Sequence, residues 1–264
     1  MITKPKKGER WSRDEMILVF NLYFKLPYGK MDHRTPEVKE LAAIMGRTDN
    51  SIAMRLNNFA SCDPMLQQRG IKSLGDHKKQ CQPYWDEFFE NRENLVFESE
   101  KILAKYQDLT IEEKFKEEIN DIPKDIVGTV KMQEVKVRVN QYFFRKIVLS
   151  NYNYKCALTQ IDLSELLVAS HIIPWAENEK ERLNPENGIC LSSLYDKAFD
   201  CGLISFTDKG LVLFSNRLSN NVGKEYYNKY FLPIKGQCLD HPTKYPINPL
   251  FLEWHRDNIF NKTV

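Results

Sequence analysis

Apolar positions in the first part of the chain recur with a helical period. In "RWSRDEMILVFNLYFKL", Met16, Ile17, Phe20, Leu22 and Phe24 supply an apolar face. Ser12 with Glu15 three residues on is a capping box, and Pro27 with Gly29 stops the run, so a helix is predicted between them. The stretch "TPEVKELAAIMGRTDNSIAMRLNNFAS" repeats the pattern twice. Thr35 and Pro36 open one helix through about Met45, and Gly46 closes it. Thr48 to Asn50 cap a second helix through about Phe59. Val38, Leu41, Ala42 and Met45 then face Ile52, Leu56 and Phe59. The segment 82–106 predicts one or two more helices with a strongly apolar face.

The period changes further on. Segment 107–130 is acidic, carries Pro123 and Gly128, and is read as a partly helical connector. A basic helix with Val139, Phe143, Ile147 and Val148 on one face follows. "LLVASHIIP" is a strand closed by Pro174, "ENGICL" is a second short strand, and "SSLYDKAF" is a helix capped by Ser192 or Ser193. "GLISFTDKGLVLFS" is a hairpin turning at Asp208-Lys209-Gly210, and "FLEWHRDNIF" is a terminal helix. The expected fold is α+β: a helical domain over 1–106, the connector over 107–130, and a mixed domain over 131–264.

Composition narrows the class. Hydrophobic residues are 42% and aromatics 12% of 264 residues, enough for a packed core and against global disorder. A net charge of +2 neither demands nor excludes a nucleic-acid partner, so any basic surface must come from local segregation. No apolar run reaches the roughly 20 residues of a membrane span, and the basic start "MITKPKKGERW" is not followed by the apolar stretch of a signal peptide. The cysteines, at 62, 81, 156, 190, 201 and 238, form no C-x-x-C pair. That pattern predicts reduced thiols, a cytoplasmic location and no structural zinc.

Two groups of residues are candidates for chemistry. Helix, glycine turn, helix is the helix-turn-helix arrangement, and its second helix is expected to display Asn50, Ser51, Arg55, Asn57 and Asn58, polar types suited to base edges and phosphates. The alternative is an ordinary helical hairpin with a polar outer face. The loop with Arg69, Lys72, His77, Lys78 and Lys79, and the helix with Lys136, Arg138, Arg145 and Lys146, are further basic stretches able to meet phosphates, or to be merely solvated. The second group is strand, loop, strand, helix, which places His171 on the first strand, Asn187 in the loop and Asp196 in the helix, able to converge in one cleft.

That second group resembles the HNH, or ββα-metal, nuclease family. His171, Asn187 and Asp196 stand at its signature positions, with Asp196 where many members carry His or Asn. "SHIIPW" at 170–175, "FDCGLISF" at 199–206, and "QYFFR" with "YKCALT" upstream resemble a restriction-type branch. The likeness covers roughly residues 135–260. It implies hydrolysis of DNA phosphodiesters, with His171 as general base, Asn187 orienting it, and Asp196 holding Mg²⁺ or Mn²⁺. Asp200, four residues on and on the same helical face, is a further candidate ligand. Ser170 stands where many members carry Asp or His, which leaves the metal short of a ligand. The resemblance further implies double-stranded DNA as partner and a role in restriction or defence. A double-strand cut by a single-site domain favours a homodimer. The rival readings are a non-catalytic DNA-binding regulator and an RNA-directed or toxin nuclease.

Overall fold

The computed structural model describes residues 9–26, 28–68, 78–123 and 125–262. Arg69, Lys72 and His77 of the basic loop lie outside the described residues. The chain divides into two compact units, Met1–Asn140 and Gln141–Val264.

The first unit is helical. Its elements are α1 (Arg13–Lys25), α2 (Pro36–Met45), α3 (Asp49–Ala60), α4 (Pro64–Gln68), α5 (Lys78–Phe88), α6 (Arg92–Tyr106), α7 (Ile111–Lys114) and the start of α8 (Gly128–Asn151). The sequence punctuation operates as expected. Ser12 and Glu15 form the reciprocal capping box, and Thr48 Oγ1 accepts from Ser51 N–H. Gly46 closes α2 at φ 64°, the left-handed conformation a glycine adopts without strain. α1 packs against α2, α3 and α6. At the centre Phe20 stacks on Phe59 with centroids 4.4 Å apart, and Trp85 lies tilted 5.5 Å from Phe20.

One ion pair is built into this core. Glu15 and Arg47 are both buried, with Arg47 Nη2 2.8 Å from Glu15 Oε2. Arg47 also donates to the carbonyls of Glu9 and Arg10, which adds acceptors beyond the carboxylate and makes the burial tolerable. Trp11 lies between two cations, with Arg47 and Arg55 each 4.7 Å from its ring centroid.

The second unit is α+β. The C-terminal half of α8 leads to β1 (Leu167–His171), β2 (Gly188–Ser192) and α9 (Ser193–Asp200). Then come β3 (Ile204–Phe206), β4 (Val212–Phe214), α10 (Asn216–Ser219) and α11 (Pro249–His255), which runs on as a π-helical turn through Phe260. Among the described residues the strands form two antiparallel pairs, β1–β2 and β3–β4. In the first pair Ser170 faces Ile189 and His171 faces Gly188. α8 begins at Gly128, within the segment expected to be connector, so the basic helix is longer than its sequence pattern indicates.

Packing fixes the β1–β2–α9 block from both ends. A Cβ on Gly188 would fall 2.4 Å from Val148 Cγ2 and 2.9 Å from Phe144 Cζ, so the bare glycine lets α8 approach the sheet. At the other end His255, fully buried, stacks on Phe199 at 3.7 Å. His255 Nδ1 lies 2.9 Å from Ser205 Oγ, and Nε2 lies 3.1 Å from the Phe199 carbonyl. A carbonyl only accepts, so His255 is the Nε2–H tautomer and takes a bond from Ser205 at Nδ1. With both ring nitrogens bonded and the ring stacked, His255 is a packing residue.

Candidate active site

His171 ends β1 because the strand gives it a rigid mount against α8. Its ring stacks on Phe144 with centroids 3.6 Å apart and planes 12° apart, and the Trp175 edge meets it at 5.5 Å. Nε2 lies 2.9 Å from the Arg182 carbonyl. Since that oxygen cannot donate, Nε2 carries the proton and Nδ1 keeps its lone pair. Burial pushes the His171 pKa down to about 4, against the partial support of the Arg182 carbonyl. The imidazole is therefore neutral at pH 7 with one nitrogen free to accept a proton. Gln141, Phe144 and Arg145 from α8, with Val168, Ala169, His171 and Trp175, line a cleft of about 250 Å³ beside it.

The loop between β1 and β2 is held by two residues. Asn187 is buried; its Oδ1 accepts from Ile173 N–H at 2.8 Å, and its Nδ2 donates to the carbonyls of Ile173 and Glu181. Arg182 Nε donates to the Trp175 carbonyl at 2.7 Å, and its guanidinium lies 5.2 Å from the Trp175 ring centroid. Asn187 thus acts on the backbone on both sides of the loop, and the carbonyl of Arg182, one residue beyond the clamped Glu181, fixes the imidazole. Arg182 carries no sequence signal, being one charge in a polar loop. Gln141, Phe144 and Arg145 do carry one: spacings of three and four on a helix put them on one face.

Asp196 and Asp200 occupy one side of α9, toward the opposite face of β1. Burial raises the Asp196 carboxyl above its ordinary range, and the neighbouring Ser170 hydroxyl draws it back in part. That hydroxyl is buried at 2% exposure and makes no hydrogen bond of acceptable geometry, so it sits beside Asp196 as an unsatisfied oxygen. Desolvation and then the Asp196 charge raise Asp200. Asp200 itself is exposed, so the repulsion between the carboxylates is the firmer cause. Two mutually repelling carboxylates and a buried orphan hydroxyl are hard oxygen donors, and they fit a divalent cation whose remaining positions are water. Among the described residues no group of three or more His, Cys, Asp or Glu side chains assembles.

Of His171, Asn187 and Asp196, which the spacing alone placed as able to converge, His171 lines that cleft and the other two are not among its lining residues. Alternation along β1 turns Ser170 toward α9 and His171 toward α8, while Asn187 is spent inside the loop. His171 and the carboxylates are reached from the two sides of one strand end, a single peptide apart at Ser170-His171. Cys156, also buried, accepts from Ser192 N–H through Sγ at 3.2 Å and so ties the preceding loop to β2.

The expected nucleic-acid residues are dispersed. Arg145 joins the His171 cleft while its guanidinium donates to the carbonyls of Leu167 and Ser164. Lys136 bonds Asn94, and Arg138 pairs with Asp121 at 2.7 Å. On α3, Asn50 is exposed and Ser51 is half-buried, with its hydroxyl donating to the Thr48 carbonyl. Arg55 and Asn58 depart from the expected display. Both are buried, because the apolar face of α3 is wider than its Ile52, Leu56 and Phe59 stripe, and Arg55 turns onto Trp11 and Gln80. The outward residues are Asn50, Met54 and Asn57.

Residues 156–207 match the model of the HNH_2 family, HNH endonuclease. The matched segment begins at Cys156, contains β1, β2 and α9 with His171, Asn187, Asp196 and Asp200, and ends just past β3. The HNH segment points to nuclease activity on a nucleic acid, and nucleases of this kind generally use divalent metal ions. A comparison with curated proteins finds no match. Among the described residues no helix is long and apolar enough to cross a membrane.

Proposed function

We propose that this protein is an endonuclease that hydrolyses phosphodiester bonds of double-stranded DNA in the HNH unit, with the helical unit providing duplex contacts. The observation that carries the reading is the state of His171: neutral, stacked, its one proton committed to the Arg182 carbonyl, and its Nδ1 lone pair available. A general base for water attack needs that condition. Asp196 and Asp200 would hold Mg²⁺ or Mn²⁺, with Ser170 alongside. When bound, the ion supplies positive charge at the crowded phosphate and the leaving oxygen. His171 takes the proton of the attacking water. Arg145 keeps a fixed positive charge on the cleft wall, and Asn187 with Arg182 prevents the loop and the imidazole from turning away.

The α2–α3 pair supports the duplex assignment, because its glycine turn joins two helices and the second turns Asn50 and Asn57 outward. A nuclease carrying its own duplex-binding unit suits a cytoplasmic role in restriction of foreign DNA. A DNA-binding protein without cleavage is the second reading, favoured by the sparse donor set of two carboxylates and one hydroxyl.

One assay separates them. Supercoiled plasmid is incubated with Mg²⁺ or Mn²⁺ and, in parallel, with chelator. Wild-type protein is expected to nick only with metal, and His171→Ala to lose roughly 10²–10⁴-fold in rate. Equal nicking by His171→Ala, or none by the wild type with either metal, would overturn the nuclease reading.

A further inference from the structure

A cationic surface lies outside the HNH segment. The whole chain has a net charge of +2, but residues 216–235 contain Arg217, Lys224, Lys229 and Lys235 against Glu225 alone. All four cations are exposed. Within this segment the chain makes a π-helical turn over Tyr227–Phe231. Residues four apart on such a turn share a side. Tyr227 and Phe231 face inward and are buried, whereas Tyr226 and Tyr230 face solvent at 44% and 43% exposure. Lys224 Nζ lies 6.0 Å from the Tyr226 ring centroid, and Lys229 Nζ lies 5.4 Å from that of Tyr230. Cation and aromatic therefore alternate twice along an open surface.

Nothing in the fold of the unit requires these two rings to be tyrosine, since the inward pair already packs on Phe214. The surface is tied to the carboxylate helix. Tyr195, the residue before Asp196, donates its hydroxyl to the Tyr230 carbonyl at 2.5 Å. Paired rings flanked by lysines match the requirements of a single nucleic-acid strand, whose bases stack on aromatic faces while phosphates meet ammonium groups. A duplex, with its bases already stacked internally, has no use for the rings.

We propose that Lys224, Tyr226, Lys229 and Tyr230 form a ledge that binds single-stranded nucleic acid and delivers an unpaired strand toward the α9 carboxylates. The proposal deepens the nuclease reading and rests on it for the fate of the strand, but the binding itself does not. It predicts that the protein acts best where a duplex carries an unpaired flank.

The test is binding of the full chain to a labelled oligothymidylate and to a duplex of equal length, by fluorescence anisotropy in chelator. Tyr226→Ala/Tyr230→Ala is expected to weaken single-strand binding about 30-fold or more, the scale of losing two stacked bases, with duplex binding unchanged. Tyr226→Phe/Tyr230→Phe, which keeps the faces, should bind as the wild type. Lys224→Gln/Lys229→Gln should reduce the salt slope for the single strand by about 1.4, near 0.7 for each phosphate contact. His171→Ala should bind fully, which separates the ledge from the chemistry. The proposal fails if the Tyr→Ala pair binds single strands as the wild type does, or if single-strand and duplex binding fall together. A protein that binds through the ledge yet never cleaves would overturn the nuclease reading and leave the ledge standing.

Discussion

At the scale of single residues, the decisive fact is how each polar group is spent. His171 has one nitrogen bonded to Arg182 and a pKa held down to about 4 by burial. Its basic form is therefore present far below the ordinary imidazole range. On the proposed assignment, the acidic limb of a cleavage profile should be set by Asp196 and Asp200 rather than by a group near 6.5, and a limb at 6.5 that vanishes in a His171 variant would contradict this. Asp196 and Asp200 are the reverse case. Both are raised, Asp196 by desolvation and Asp200 by desolvation and, more firmly, by the Asp196 charge, so in the folded protein their charged forms are disfavoured. Asp196→Asn and Asp200→Asn should each leave the metal-free protein as stable as the wild type or slightly more so, because a repulsion is removed. Each should also abolish the rise in melting temperature on adding Mn²⁺. Differential scanning calorimetry with and without metal reads both effects. Metal binding should release protons and weaken as pH falls into the carboxylate range.

At the scale of elements, the site is a strand pair clamped between helices. Gly188 sits opposite His171 in register, beneath the same Phe144 that stacks on the imidazole. Gly188→Ala should cost about 1–3 kcal/mol by overpacking, read by urea denaturation, and should disturb His171 through Phe144. An unchanged unfolding midpoint would mean that α8 yields more easily than its packing implies. Asn187→Ala removes three hydrogen bonds to loop backbone, leaving the partner groups of a buried site unpaired. The expected loss is about 2–4 kcal/mol with reduced cleavage, whereas a purely catalytic Asn would lower activity alone. On α3 the outward residues are Asn50, Met54 and Asn57, so Asn50→Asp with Met54→Glu should weaken duplex binding with little change in stability. Electrophoretic mobility shift at two salt concentrations checks it, and unaltered affinity would remove α3 from the interface.

At the scale of the whole molecule, two units share one chain, and the stability of the second responds to pH for an identifiable reason. His255 is fully buried with both nitrogens bonded and a pKa lowered to about 4 from an ordinary 6.5. Between those values the unfolded chain binds more protons than the folded one, so stability is full above about pH 6.5 and is lost as pH falls toward 4. The contribution of His255 is roughly 3 kcal/mol, and that of His171 has the same sign. Thermal unfolding between pH 7 and 4 should show the loss, and His255→Gln should flatten it.

The sequence by itself determined most of the elements. The Ser12 and Glu15 box, Gly46, the Thr48 cap and the change of period at Leu167 are local signals, and local backbone chemistry answers to them directly. It also determined which residues are candidates, since His171, Asn187 and Asp196 stand in a recognisable order. Tertiary structure alone decided their surroundings. Arg55 left the outer face of α3 because Trp11 and Gln80 are brought beside it from distant parts of the chain. Ser170 and His171 diverged because adjacent residues of a strand point to opposite faces, and only packing says which helix covers which face. The proton on His171 is placed by a carbonyl in a loop with no signature, and its pKa by burial under Phe144. Burial and cross-chain hydrogen bonds belong to the folded whole, so neither is written in the spacing of residues.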